Sequence, residues 1–256
     1  ESWNACGPYL TLGWPQDTTA LEEGHINDDQ FLALCESIFA GRECVLIQQL
    51  QNFKEGLLGI IFDDLDRIQH MFRRDRPDIL ESWYQKLDAL VGRIEQRLAA
   101  INPKARLLVL SDHGFSEFSY KVQLNGWLLD QGYLVQKMPA QSHNSVSLQD
   151  IDWTRSQAYA VGLNSLYLNL QGREGQGSLP VEAIEPTLEK LRSELLSWKG
   201  PDGKPVLQRV LLKHEAFQGA MTPYGPDLVL GYAPGYRASA ATGLGRWERH
   251  GISLNS

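Results

Sequence analysis

Two acid and imidazole pairs are the residues of this chain best suited to chemistry. Asp66 and His70 stand four positions apart in FDDLDRIQHMF, and Asp112 and His113 are adjacent in SDHGF. On a helix, positions i and i+4 share one face, so Asp66 and His70 could reach one ion. Carboxylate oxygen and imidazole nitrogen are suitable ligands for Zn²⁺, and Mn²⁺ tolerates the same mixture. The residue types and their spacing therefore indicate metal chemistry.

Each pair also has an ordinary structural interpretation. Asp66 and His70 fit an exposed helix face, and Asp112 before His113 fits a turn in which the aspartate caps the backbone. Both pairs follow apolar runs, however, and the ligands of open α/β sheets gather beyond the carboxyl ends of the strands. Taken together, the pairs favour a two-metal centre, in which ions roughly 3.5–4 Å apart clamp a phosphoryl oxygen.

The elements around these pairs predict an α/β fold. LLGIIF (57–62) and RLLVL (106–110) are short apolar runs, the pattern of strands covered on both faces in a parallel sheet. Between them, apolar residues repeat at helical spacing over 77–101, with Pro77 at the start. A strand, a helix and a strand form a βαβ unit with a right-handed crossover. We therefore expect a layered α/β/α architecture with a largely parallel central sheet.

The rest of the chain continues this alternation. Residues 1–27 are rich in turn formers and are expected to be irregular. One helix or two short ones are predicted from 28 to about 53, capped by Asn27 or Asp28, with Gly41 as the expected break. Further helices are expected near 124–132 and 181–198, and strands in AYAVG, SLYLNL, VLQRVLLK and DLVLGY. We predict a single domain over 1–256, in which residues 120–200 or so form a smaller lobe.

Composition limits the classes of partner. The 256 residues are 43% hydrophobic and carry a formal net charge of −7, which argues against sequence-independent binding of nucleic acid. No apolar stretch approaches the ~20 residues of a membrane span, and the first residues do not resemble a signal peptide. Cys6, Cys35 and Cys44 are widely spaced and odd in number, so no disulfide framework is expected. We expect a cytoplasmic protein with a small ligand.

Several stretches identify a family resemblance. DLDRIQHMF, LVLSDHGF, LGWPQDTTALEEG and PDLVLGYAPGYRAS resemble the type I phosphodiesterase/nucleotide pyrophosphatase branch of the alkaline phosphatase superfamily, nearest to its predicted phosphohydrolase/phosphomutase group. The resemblance implies an alkaline-phosphatase-like fold and a two-metal phosphohydrolase of small phosphate esters or nucleotides. It also implies a covalent intermediate on a Thr or Ser. Asp66 and His70 would bind the first metal, and Asp112 and His113 the second, with Zn²⁺ or Mn²⁺ as the ions.

The sequence departs from the family pattern at both ends. The family has an early Asp and its nucleophile upstream of the matched motifs, and only about ten residues precede LGWPQDTT. We therefore predict a fragment that is truncated at its N-terminus, lacks the nucleophile and holds the two metals only partially. Thr18 and Thr19 are assigned to a turn or cap. The late Gly-Asp-His of the family is missing, which leaves His250 as a weaker metal candidate.

Other interpretations stay open at this point. The chain could be a non-catalytic metal-binding or structural module derived from this fold, or a phosphomutase that uses the same residues. Asp227 and Arg237 fit the family pattern, either in binding or in folding. A truncated sheet would expose an apolar edge, which predicts a homo-oligomer formed through that edge.

Overall fold

The fold belongs to the mixed α/β class, as the sequence predicts. The computed structural model describes residues 2–7, 9, 15–137 and 145–255. Contacts along the chain divide it into two compact units, Glu1–Phe115 and Ser116–Ser256. The prediction of one domain with a smaller lobe at about 120–200 stays a prediction. No helix in the described ranges combines the length and the apolar character that a membrane crossing requires.

The first unit is built from helices. They are α1 (Ser2–Cys6), α2 (Thr18–Glu22), α3 (Asp28–Asn52), α4 (Asp64–Phe72) and α5 (Pro77–Ile101). Their apolar faces form one core, centred on Phe31, Phe39, Ile68, Trp83 and Leu90. The core lies among α3, α4 and α5 and fixes the face of α4 that carries the candidate ligands.

Local signals explain the two long helices. Asn27 caps α3, because its side chain accepts from the Gln30 amide and the Gln30 side chain accepts from the Asn27 amide, both at 2.9 Å. Pro77 occupies the first turn of α5, as predicted. Of the two alternatives, one helix is confirmed: α3 continues through Gly41, where a break was expected. A glycine inside a helix costs only about 1 kcal/mol, and the buried face of α3 outweighs that cost.

The predicted strands at 57–62 and 106–110 are not strands in this structure. In the described chain, neither run is hydrogen-bonded into a ladder with a neighbour. Their side chains also face two ways. Leu58, Ile60 and Leu107 pack against the helical core. The other side is uncovered, with exposed fractions of 95% for Leu57, 80% for Ile61, 77% for Leu108 and 85% for Leu110.

The cysteine prediction is also wrong. Cys6 and Cys44 form a disulfide that joins α1 to α3, with their Cα atoms 5.7 Å apart. Separation along the sequence had argued against pairing, but packing of the two helices brings the sulfurs together. Cys35 is a free thiol in the core, where burial, followed by the charge of Asp64, raises its pKa to about 12.

The second unit contains the strands. They are β1 (Phe118–Val122), β2 (Ser145–Ser147), β3 (Ala158–Val161), β4 (Ser165–Leu168), β5 (Leu207–Leu212), β6 (Leu228–Tyr232), β7 (Gly235–Ala238), β8 (Arg246–Glu248) and β9 (Ile252–Leu254). The helices are α6 (Leu124–Asp130), α7 (Ile184–Ser197), α8 (Lys213–Ala216) and α9 (Ala240–Gly243). Their order follows the predicted alternation of helices and strands after 120.

Strand pairing in this unit differs from the expected parallel sheet. The order β3-β4-β6-β5 is antiparallel throughout, and β2 pairs antiparallel with β8. In the sheet β7-β1-β9, β1 runs parallel to β7 and antiparallel to β9. β3 and β4 follow each other through a short turn, a connection that produces antiparallel neighbours. The described sheets are therefore mostly antiparallel.

Candidate metal centre

Helix α4 carries the first pair. Its buried side is formed by Ile68 and Phe72, and this amphipathic pattern leaves Asp66 and His70 on the partly exposed side. Asp66 Oδ2 lies 3.7 Å from His70 Nε2 and 3.3 Å from Arg67 Nη1. The segment is helical, which is the condition for positions i and i+4 to share one face, and the two side chains lie close together.

The second oxygen of Asp66 has no visible partner. Asp66 Oδ1 is buried, and within the described residues no group donates a hydrogen bond to it. A buried carboxylate oxygen without a donor is costly, because it has lost its water without replacement. A cation would satisfy this atom, so the position fits a metal ligand.

The second pair follows the apolar run 106–110 in irregular backbone. Asp112 is largely exposed, and its Oδ2 lies 3.6 Å from His113 Nε2. His113 Nδ1 lies 3.0 Å from the carbonyl oxygen of Gly114. A carbonyl can only accept, so this contact is a hydrogen bond when Nδ1 is the donor, and Nε2 is then the nitrogen left to bind an ion. Histidine ligands of metals are commonly oriented by such a second hydrogen bond.

Phe115 brings the two motifs into one neighbourhood. Its ring centroid lies 4.9 Å from that of His70, in an edge-on arrangement, and 5.9 Å from that of His113. The two imidazoles therefore flank the same phenyl ring, although 43 positions separate them in the sequence. Both pairs lie in the same compact unit. This proximity could not be read from either motif alone.

The pairs do not converge into a complete ligand set. In the described ranges, no three His, Cys, Asp or Glu side chains are grouped closely enough to hold a metal ion. The ligand roles of Asp66, His70, Asp112 and His113 therefore stay predictions. His250 is exposed between β8 and β9, in the other unit, and its role likewise stays a prediction.

A buried polar cluster at the start of α4 was missed by the sequence reasoning. Arg42 of α3 donates through Nη1 to Asp63 Oδ1 and, at 3.0 Å, to Asp64 Oδ2. Gln16 Nε2 donates to Asp63 Oδ1 at 2.8 Å and to Asp64 Oδ1 at 2.9 Å. One signal could have found it: Arg42 lies on the apolar stripe of α3, between Ile38 and Leu46, where a charge needs a buried partner.

Burial and hydrogen bonding shift the pKa values of Asp63 and Asp64 in opposite directions. Burial raises the pKa of Asp63, but hydrogen bonds from Arg42 and Gln16 outweigh burial, so the net pKa is lowered. Asp64 is fully buried, and there burial is the larger effect and the pKa is raised, against the donation from Gln16 and Arg42. The two acids near Asp66 therefore have pKa values that are shifted in opposite directions.

The remaining candidates have structural contacts. Thr18 and Thr19 form the first turn of α2, which Asp17 caps by accepting from the Ala20 amide at 2.9 Å. Arg237 donates to Asn255 Oδ1 at 2.8 Å. Asp227 is buried and accepts hydrogen bonds from Arg173. These contacts assign Asp227 and Arg237 to the fold of the second unit.

Comparison with known families agrees with the resemblance in the sequence. The family model of the type I phosphodiesterase / nucleotide pyrophosphatase matches residues 19–253. The chain therefore belongs to this family, whose members act on small phosphate esters or nucleotides and generally depend on divalent metals. Searches of curated proteins and of solved structures found no match.

Proposed function

We propose that this chain is a metal-dependent phosphohydrolase of the phosphodiesterase and nucleotide pyrophosphatase type. Asp66 and His70 would hold one divalent ion, and Asp112 and His113 a second, with Zn²⁺ or Mn²⁺ as the ions. The observation that carries the proposal is the contact of both imidazoles with Phe115, which draws the two motifs together. Membership of the family supplies the reaction class.

The residues fit this use in two further respects. Asp66 Oδ1 is buried without a donor among the described residues, and His113 Nδ1 lies 3.0 Å from the Gly114 carbonyl oxygen, which leaves Nε2 as the nitrogen that would bind an ion. Bound divalent ions supply charge stabilisation at a phosphoryl oxygen. Phe115 packs against His70 in an edge-on arrangement, with the ring centroids 4.9 Å apart.

The nucleophile remains unassigned in this proposal. Covalent phosphoryl transfer needs an activated hydroxyl, and no hydroxyl of this chain is assigned that role. We therefore expect the chain to bind metal and a phosphate ester, with little turnover of its own. A purely structural module would bind neither, a non-catalytic metal-binding module would bind the metal alone, and a phosphomutase would transfer the phosphoryl group to a second hydroxyl.

Binding of a fluorescently labelled nucleoside monophosphate tests the proposed function. Anisotropy should rise only when Mn²⁺ or Zn²⁺ is present, and Asp112→Asn should weaken binding at least about tenfold, the scale of lost metal-site contacts. Asp75→Asn, another exposed aspartate of the same unit, is the matched control and should bind normally. Equal binding with and without metal, or by Asp112→Asn, would contradict the proposal.

Turnover measured on the same samples tests the unassigned nucleophile separately from the metal site. We expect little release of p-nitrophenol from its phosphate monoester or diester. Robust turnover by the unmodified chain would contradict the expectation that it lacks an activated hydroxyl. Turnover that survives Asp112→Asn would contradict the metal mechanism.

The layered architecture and the homo-oligomer also belong to this proposal. One side of each of the runs 57–62 and 106–110 packs against the helical core. The other side is exposed, at Leu57, Ile61, Leu108 and Leu110. We propose that these runs act as strands of a largely parallel, alkaline-phosphatase-like sheet once their free edges and outer faces are covered. Exposed apolar patches of this kind mark association sites.

Self-association through this face is expected to be visible in solution. Light scattering coupled to gel filtration should give an oligomer for the unmodified chain. The double variant Ile61→Lys and Leu110→Lys should be monomeric, because the lysines add charge to the apolar face. Val181→Lys, at an exposed apolar residue of the other unit, should leave the oligomer intact. A strictly monomeric unmodified chain at high concentration would contradict the expectation.

Three expectations about location and partners stay predictions. They are a cytoplasmic location and the lack of nucleic-acid and membrane partners. Disulfides persist mainly in oxidising compartments, so the Cys6–Cys44 bond argues against the first of them.

A further inference from the structure

The first turn of helix α4 has an aspartate at the N-cap position that does not cap the helix with its side chain. Asp63 is its N-cap residue and Asp64 its first residue, yet Asp63 makes no capping hydrogen bond with its side chain. An N-cap aspartate normally accepts from a backbone amide of the first turn. Here the Asp63 and Asp64 carboxylates are held by Arg42 and Gln16, which come from other parts of the chain.

This arrangement ties the first turn of α4 to α3. Arg42 lies in the middle of α3 and is almost fully buried, and one nitrogen, Nη1, contacts both carboxylates. Gln16 is fully buried and donates to the same two groups. Asp66 lies two residues after Asp64, in the same helical turn. The contacts that hold the backbone of this turn therefore also fix the position of the Asp66 Cα atom.

The cluster also restrains two competing acids. Asp63 and Asp64 lie within three residues of Asp66, and free carboxylates at that distance could bind a cation in place of Asp66 or beside it. Arg42 and Gln16 instead donate to both oxygens of Asp64 and to Oδ1 of Asp63. Asp66 Oδ1 is the carboxylate oxygen of this turn that is buried without a donor in the described residues.

We propose that Arg42 is a positioning residue for the metal ligand Asp66. The proposal rests on the metal site of the proposed function and extends it. Arg42 acts through the Asp63 and Asp64 carboxylates: it orients the start of α4 and keeps both acids out of the coordination sphere. A lysine keeps the positive charge but is a poor substitute, because its strongly hydrated ammonium on a flexible stem holds the two carboxylates less rigidly than the planar guanidinium does.

The test is the affinity of the full chain for Zn²⁺, measured by competition with a chelating dye. Arg42→Lys should weaken zinc binding by about tenfold or more, the effect expected for groups that orient ligands. Gln16→Leu keeps the arginine charge and removes the second donor to the same carboxylates, so it should weaken binding in the same direction. Arg93→Gln, which breaks an exposed contact with Glu43 of α3 (Nε to Oε1, 3.0 Å), is the control and should bind as the unmodified chain does.

Absorption of the Co²⁺-loaded chain gives a readout that a purely structural role would not move. If Arg42 keeps Asp63 and Asp64 from the ion, Arg42→Lys should change the visible spectrum, because oxygen ligands are added to the coordination. A lower melting temperature with unchanged zinc affinity and unchanged spectrum would overturn the positioning role. If Arg42→Lys fails to fold, the zinc affinity of Gln16→Leu decides.

The reference variant His70→Ala separates the two proposals. If it loses zinc while Arg42→Lys and Gln16→Leu bind as the unmodified chain does, only the positioning role is overturned. If the unmodified chain and His70→Ala bind zinc equally, the metal site itself is wrong and the positioning role is overturned with it.

Discussion

Asp227→Asn is expected to lower the free energy of unfolding by about 3–5 kcal/mol, the cost of removing one partner from a buried ion pair. Asp227 accepts from Arg173 Nη1 at 3.0 Å and from Arg173 Nη2 at 2.7 Å. Lys213 Nζ lies 2.8 Å from Oδ1, and the Leu168 amide donates to Oδ2 at 2.8 Å. The amide of Asn cannot balance two cations.

The same contacts predict how this stability depends on pH. Burial raises the pKa of Asp227, but hydrogen bonds from Arg173 and Lys213 outweigh burial and hold the pKa below its ordinary value of 3.8. A lowered pKa in the folded state means that the unfolded chain binds more protons, so the stabilisation is complete above pH 3.8 and is lost as the pH falls through the folded-state pKa. As the pH falls through that range, Asp227→Asn should lose less free energy of unfolding than the unmodified chain does.

Urea denaturation at neutral and acid pH measures both effects. Arg192→Gln is the matched control, because it breaks a more exposed contact with Glu215 (3.2 Å) in the same unit. Exposed pairs contribute about 0–1 kcal/mol, so this variant should stay close to the unmodified chain. Equal losses for Asp227→Asn and Arg192→Gln would contradict the structural role of Asp227.

Signals within a few residues made the helices predictable. Pro77 and the regular apolar spacing after it defined α5, and the Asn27 cap defined the start of α3. The same patterns could not establish how the apolar run 57–62 is covered. A strand needs a partner, and a continuous apolar run looks the same whether one or both of its faces are packed.

Contacts between distant residues were not predictable from local patterns. Arg42 meets acids 21 and 22 positions away, and the Cys6–Cys44 bond spans 38. Contacts over such separations produce no repeating pattern of residue types in the sequence. For the candidate site, residue types and the helical spacing of Asp66 and His70 identified the pairs. The contact of Phe115 with both imidazoles required the folded chain.

Removal of either imidazole is expected to have the largest effect on metal binding. His70→Ala and His113→Ala should each weaken Zn²⁺ binding by about 100-fold or more, at or beyond the upper end of the effects seen for groups that only support a ligand. Each histidine belongs to a different pair, so a loss in both variants would show that both pairs bind metal. Neither substitution is expected to destabilise the fold strongly, because each side chain is more than half exposed.

Zinc content after equilibrium dialysis against a defined free Zn²⁺ concentration tests the central claim most directly. His25→Ala is the control, because His25 is an exposed imidazole beside an acid, 3.2 Å from Glu23, outside both pairs. We predict that the unmodified chain and His25→Ala retain zinc, whereas His70→Ala and His113→Ala lose it. Equal zinc content in all four proteins would contradict the assignment of a metal centre to Asp66, His70, Asp112 and His113.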